Sequence, residues 1–334
     1  MQKYFYYTNS KKIFTNKIDA TRHKELTGEK IFYYYHDEVY SKLDWTIEPP
    51  GSLDFHYQQQ AQRIRDEYDY VVLFYSGGHD STNILETFHF NNIKLDKIVC
   101  VGAFKQDTFS GVDENHNGEI YNNCFPYIVE LGLESITQIC DYTDYFNDVK
   151  NFSVYEYGEQ WVENNGAWFS PHHWFWRDIH KYVVPANMRD KKVALIWGKD
   201  KPYIETIGND ICFSFNDMAT LGYGMEIEID NIDRIHFYWD PNYPFILIKQ
   251  LHTLMKMKSF NPDDVYNLKR PILFKSPKSP SNLLSLRDKF LMNNTNSSIF
   301  DFYQEGIRRL LKQVNPNNLS KSKSKSYVVK YGNK

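Results

Sequence analysis

Apolar positions change their rhythm at residue 69. Upstream they come in short polar-aromatic patches. KYFYY near the start and EKIFYYYHDEVY at 29–40 read as strands of a small sheet, with IDATRHKELTG between them as a helix ending at Gly28. Pro49, Pro50 and Gly51 interrupt the chain and mark a boundary. The stretch SLDFHYQQQAQRIRDEY at 52–68 predicts a helix with Phe55, Gln59, Ala61 and Ile64 on one face.

Downstream of residue 69, short apolar runs alternate with helix-like stretches. DYVVLFY, LDKIVCVGAF and SITQICDY read as buried strands. STNILETFHF is a helix, and GEIYNNCFPYIVELGL contains one that starts or breaks near Pro126. HHWFWRDIHKYVV reads as helical, KKVALIWGKDKPYI as a fourth strand ending at Gly198, and ICFSF and MEIEID as strands of an appended region. NYPFILIKQLHTLMKMKS reads as an amphipathic helix, and weaker helical patterns follow near 282–293 and 299–313. Strands alternating with helices predict an α/β fold, a parallel sheet with crossover helices. The expected organisation is a small N-terminal α+β region at 1–50, the α/β domain at 51–258, a C-terminal helical region at 259–318 and a basic mobile tail at 319–334. For that Lys-rich tail a weak phosphate-binding arm is the sharper alternative.

Composition narrows the function. With 42% hydrophobic and 24% charged residues over 334 positions, the chain can bury a sizeable core. A net charge of −3 argues against a general nucleic-acid-binding field. The 26 Tyr and 23 Phe are an excess that no single stretch localises, and AT-rich coding is the plain explanation. Cys100, Cys124, Cys140 and Cys212 are scattered, without a CxxC pair, which fits neither a zinc site nor a disulfide framework. No apolar run nears the roughly 18 residues of a membrane span, and MQKYFYYTNSKK lacks the apolar core of a signal peptide. A cytoplasmic protein with no membrane partner is expected.

The chemistry concentrates in Ser76-Gly77-Gly78-His79-Asp80-Ser81, between the first buried strand and its helix. Glycines tolerate positive φ and let backbone approach a ligand closely. The helix that follows turns unpaired N–H groups and the positive end of its dipole toward the loop. This is an anion cradle suited to phosphate. It is not a Walker loop, since no GxxxxGK[ST] is present, nor a GxGxxG dinucleotide fingerprint.

The stretch Tyr75-Ser76-Gly77-Gly78-His79-Asp80-Ser81 resembles the SGGxDS pyrophosphate loop of the PP-loop ATP pyrophosphatases, a HUP/Rossmann-like superfamily that includes asparagine and GMP synthetases. The likeness covers roughly 69–215, with weaker support to about 258. It implies ATP and Mg²⁺, adenylation of a substrate oxygen, and release of AMP and pyrophosphate. It implies that Ser76, Gly77, Gly78, His79, Asp80 and Ser81 surround the phosphates, with Asp80 as metal ligand. His79 fills the variable position and either meets phosphate or faces solvent. The resemblance further implies that Val101, Gly102, Ala103 and Phe104 carry adenine, that Gly198 ends a strand at the site, and that Lys199 neutralises the α-phosphate.

Departures from the family narrow the member. Gln2 stands where a glutaminase would have its cysteine, and no clustered cysteines suit a zinc site or sulfur transfer. The nearest general character is the synthetase domain of asparagine synthetase, with ammonia or an amine as nucleophile. A tRNA- or DNA-nucleobase-modifying enzyme and a non-catalytic nucleotide-binding subunit remain as alternatives. A homo-oligomer, or a separate amine-donating protein, is left open. Trp174, Trp176 and Arg177 are read as a substrate-pocket wall or buried packing. His173 and His180 lie about two helical turns apart, too far for one ion. Asp107, Asp113, Glu114 and Glu119 form either a solvated loop or an acidic lid that joins in cation or amine binding.

Overall fold

Tyr70–Phe74 is buried at every position, which a strand achieves only with cover on both faces of its sheet. The computed structural model describes residues 4–14, 17–102, 119–141, 178–198, 203–215, 229–256 and 325–332. In chain order the elements begin with β1 (Tyr4–Thr8), β2 (Ile13–Phe14), α1 (Lys17–Thr27), β3 (Ile31–Tyr35), α2 (Asp37–Tyr40) and α3 (Leu53–Glu67). There follow β4 (Tyr70–Phe74), α4 (His79–Phe90), β5 (Lys97–Gly102), a π-helical turn (Ile120–Cys124), α5 (Phe125–Glu130) and β6 (Thr137–Asp141). The remainder is α6 (His180–Val183), β7 (Val193–Trp197), β8 (Tyr203–Ile207), β9 (Asp210–Ser214), β10 (Ile232–His236), α7 (Phe245–Met255) and β11 (Tyr327–Lys330).

Five strands form one all-parallel sheet in the order β10-β7-β4-β5-β6. Alternate residues divide its faces. Val71, Leu73, Tyr75, Ile98, Cys100, Ala194 and Ile196 join the cluster holding Ala61 and Ile64 of α3, Ile84, Leu85 and Phe88 of α4, and Leu247 of α7. Val72, Phe74, Val99, Leu195 and Trp197 pack with Ile179 and Val183 on the other face. The chain runs outward from β4 to β5 and β6, then returns to place β7 on the opposite side of β4. The winding direction therefore reverses between β4 and β7. This is the α/β sheet that the alternating pattern predicts. β10 escaped the pattern because Asp233 and Arg234 break the apolar run of an edge strand.

Helix α3 buries a stripe slightly rotated from the expected one. His56, Tyr57, Gln60, Ala61 and Ile64 are buried, whereas Phe55 is 48% exposed. The polar members are admitted because each finds a partner. His56 Nε2 lies 2.8 Å from Pro50 O, a pure acceptor, so this nitrogen carries the proton and Nδ1 accepts from Tyr243 OH at 3.0 Å. Gln60 Nε2 donates to Asp240 Oδ2 at 2.9 Å.

Two antiparallel sheets flank the parallel one, β2-β1-β3 and β11-β9-β8. Aromatic rings knit them together. Trp45 stands 4.3 Å from Phe213, Tyr35 4.6 Å from Phe215, and Tyr327 5.2 Å from Phe213, centroid to centroid. Part of the aromatic excess is thus localised in space although not in sequence. Tyr40 OH donates to Trp239 O at 2.7 Å, tying the N-terminal segment to the loop after β10. The expectation of a mobile tail fails for residues 325–332. Tyr327 and Val329 alternate into the core, and β11 completes the sheet beside β9. Residues 319–324 and the expected helices of 259–318 lie outside the described residues.

Tyr327 OH donates to Asp37 Oδ1 at 3.0 Å. Burial raises the Asp37 carboxyl, against the opposing hydrogen bond from Tyr327 and the charge of Lys325. The native state therefore binds this proton more readily than the unfolded chain. Stability from Asp37 is fullest below the unfolded-state value and is lost as pH rises through the folded one. Asp37→Asn should be more stable than the wild type at neutral pH, with the gap closing in acid. Urea unfolding across that range measures it.

Candidate functional site

A β-strand ending in a helix on the same sheet face must turn sharply. Gly77 supplies that turn with φ +80°, a value costly for any side chain with a Cβ. Gly78 has an extended conformation, φ −77° and ψ 161°, and stands as the residue before α4. Its carbonyl accepts the first helical bond, from Thr82 N at 2.9 Å. The N–H groups of the first turn precede any intrahelical acceptor and face the loop.

Hydroxyls set the loop's shape. Ser81 is buried, and its Oγ donates to Gly78 O at 3.1 Å. The Ser76 and Ser81 oxygens lie 3.3 Å apart, and Gly78 N donates to Ser76 Oγ at 3.3 Å. Ser81 thus closes the loop, whereas Ser76 is exposed. His79 and Asp80 are half-buried. Tyr238, fully buried on the loop after β10, donates to Asp80 O at 2.6 Å and accepts from Asn83 Nδ2 at 3.1 Å. Burial, first, and then the charge of Asp80 push its phenol well above the ordinary range, so it stays a donor. No sequence pattern singles out Tyr238, since its partner is 158 residues away.

Backbone from two other segments closes on the glycines. A Cβ placed on Gly77 would lie 2.7 Å from Cys124 N and 3.0 Å from Glu119 O. One on Gly78 would lie 2.9 Å from Glu119 Oε1 and 3.3 Å from Ser76 Oγ. One on Gly198 would meet Asp80 C and Ser81 N, both at 2.9 Å. The loop, the π-helical turn and the end of β7 therefore converge, and at Gly77 and Gly198, where the neighbour is backbone, only hydrogen permits it.

Of the residues singled out in the sequence, the structure brings Ser76, Gly77, Gly78, His79, Asp80, Ser81 and Gly198 together. Val101 and Gly102 sit at the carboxyl end of the neighbouring strand, Val101 against the face that holds Phe74 and Trp197. Phe74 and Trp197 stack at 4.3 Å between centroids. Ala103, Phe104, Lys199, Asp107, Asp113, Glu114, Trp174, Trp176, Arg177 and His173 lie outside the described residues. Glu119, weighed as part of a solvated loop or an acidic lid, stands directly against Gly78.

Cys100 and Cys124, apart in sequence, meet with sulfurs 3.1 Å apart beneath the loop. Both are buried free thiols. The hydrogen bond with Cys100 and then burial raise the Cys124 thiol above its ordinary value, which favours the protonated form. Among the described residues, no group of three or more His, Cys, Asp or Glu forms a metal cage, and no helix is long and apolar enough to cross a membrane.

The site lies where the winding of the sheet reverses. At such a point the two neighbouring connections leave on opposite faces and open a crevice at the carboxyl ends of the strands, where open α/β sheets take ligands. Compared with protein-family models and with curated proteins, the chain matches none.

The adjacent glycines should respond differently to one methyl group. Gly77→Ala meets both positive φ and rigid backbone, and a loss of about 2–4 kcal/mol is expected. Gly78→Ala has an ordinary φ and meets only the movable end of Glu119, so a change within about 1 kcal/mol is expected. Equal effects in urea unfolding would contradict this geometry.

Proposed function

We propose that this chain is an ATP- and Mg²⁺-dependent adenylating enzyme of the PP-loop type, with the HUP/Rossmann-like fold of that superfamily. It activates a carbonyl or carboxylate oxygen for attack by ammonia or an amine, in the manner of asparagine synthetase. One observation carries the reading. The SGGHDS loop occupies the reversal point of a parallel sheet, with its N–H groups at the start of α4 and Gly198, the residue after β7, packed against the first turn of that helix.

The chain's residues divide the work. Backbone N–H groups from Gly77 to Ser81 and the exposed Ser76 hydroxyl bind the β- and γ-phosphates, while Ser81 holds the loop closed around them. Val101 and Gly102, continuing to Ala103 and Phe104, carry adenine at the end of β5. Lys199, next to Gly198, neutralises charge developing on the α-phosphate. Asp80 and Glu119 are the carboxylates at hand for a cation. Mg²⁺ ordinarily takes one or two carboxylates and fills its octahedron with phosphate and water oxygens, a need that two nearby carboxylates and a bound polyphosphate would meet. When bound, the ion supplies charge neutralisation for departing pyrophosphate. The acceptor is a small molecule or a nucleobase, and the compartment consistent with this chemistry is the cytoplasm.

The test is product analysis from α-labelled ATP with Mg²⁺, over pools of small metabolites with ammonia, tRNA and DNA. AMP and pyrophosphate formed with the metabolite pool is the expected result. AMP formed only with tRNA or DNA would move the acceptor to a nucleobase. ADP and phosphate would reject the reading, and tight ATP binding without turnover would leave a nucleotide-binding subunit. Asp80→Ala should fold normally and lose turnover by about 10²-fold or more. Gly78→Ala should fold normally and lose ATP binding, because its methyl fills the cradle.

A further inference from the structure

Cys100 and Cys124 stand 24 residues apart in sequence, yet their sulfurs lie 3.1 Å apart in the fold. Both side chains are fully buried, and both thiols are free. A disulfide is about 2.05 Å long, so about 1 Å of approach separates this contact from a covalent bond. The other two cysteines are no rivals. Cys140 lies on β6 and packs on the opposite face of the parallel sheet, with Phe74 and Trp197. Cys212 lies on β9, in a different sheet. The two partners differ in rigidity. Cys100 is held within β5, which is paired on both sides. Cys124 ends the π-helical turn, whose Tyr121 and Asn122 are exposed. One surface turn is a segment that opens locally at low cost, whereas a central strand is not.

We propose that Cys100 and Cys124 are an oxidative modification site, closed by a peroxide into a reversible disulfide that bonds the π-helical turn to β5 beneath the glycine loop. The step balances with hydrogen peroxide. As the turn opens, one thiol loses its proton and its sulfur attacks a peroxide oxygen. The O–O bond breaks, a sulfenic acid forms, and the departing hydroxide takes up the proton to leave as water. The second sulfur then attacks the sulfenic sulfur, gives up its own proton and displaces the remaining oxygen as water. The pair of thiols loses two electrons, and one peroxide is reduced to two waters. A small dithiol restores both thiols by exchange. Burial of both sulfurs shuts out bulky oxidants, so a peroxide, close to water in size, is the class that fits. The loop feels the bond directly. Cys124 N and Cβ lie 2.7 and 3.0 Å from the point where a Cβ on Gly77 would sit, so a covalent tie at Cys124 fixes the wall against which Gly77 rests.

The test treats the folded full chain with hydrogen peroxide, alkylates the remaining thiols in denaturant, digests with pepsin and weighs the products. The expected chain is about 2 Da lighter before alkylation, carries alkyl groups only on Cys140 and Cys212, and yields a cross-linked peptide joining Cys100 to Cys124. Dithiothreitol should return all four cysteines to the alkylated form. Cys100→Ser and Cys124→Ser should each lose the cross-link, and Cys140→Ser should keep it. Hydrogen exchange reads the consequence: amides of residues 119–125 should exchange about tenfold or more slowly in the oxidised chain than in the reduced one. Alkylation of Cys100 and Cys124 after peroxide, pairing spread over all four cysteines, or sulfinic and sulfonic acids without a cross-link would each overturn the site. A cross-link that leaves exchange at 119–125 unchanged overturns the tie between turn and strand. The nucleotide reading stands or falls apart from these outcomes.

Discussion

Three backbone segments touch at the carboxyl edge of the parallel sheet, and every feature of the candidate site depends on that contact. The loop after β4 carries hydrogen instead of a side chain at Gly77 and Gly78, so the turn after β5 can rest on it. Gly198 likewise lets the end of β7 meet the first turn of α4. A methyl group at Gly77 or Gly198 would press on backbone, which cannot rotate away as a side chain can. The convergence brings Glu119 against Gly77 and Gly78 of the loop.

Support for this edge comes from the opposite end of the sequence. Tyr238 reaches Asp80 O from the loop that follows β10, and Tyr40 is tied to Trp239 in the same loop. The aromatic cluster around Trp45, Phe213, Phe215 and Tyr327 fixes that loop in turn. Large rigid rings bury much area at little side-chain entropy cost, which suits a junction between three separate sheets. The N-terminal segment and β11 are thereby parts of one core with the parallel sheet.

The central fold was legible because its strands are buried on both faces. VVLF, KIVCV and VALIW can be little else than strands of a covered parallel sheet, and the glycine loop lies between one of them and a helix. Edge elements were less legible. β10 carries charge in mid-strand, and β11 sits in a lysine-rich stretch whose average composition hides the Tyr327–Val329 alternation. The rotated stripe of α3 was misread because His56 and Gln60 are polar, and their distant partners Tyr243 and Asp240 help make them tolerable in the core.

By itself, then, the sequence determined the α/β class, the position of the glycine loop at a strand-to-helix junction, and the residue types within it. These are local consequences of side-chain period, glycine conformational freedom and helix polarity, and all act over a few residues. Strand order was decided only in three dimensions, and with it the reversal between β4 and β7 that opens a crevice at the loop. So were the approach of Glu119 and Cys124, the anchor from Tyr238 and the docking of β11. Each joins segments distant in the chain, and which of them meet is set by packing of the whole core, a quantity no local window contains.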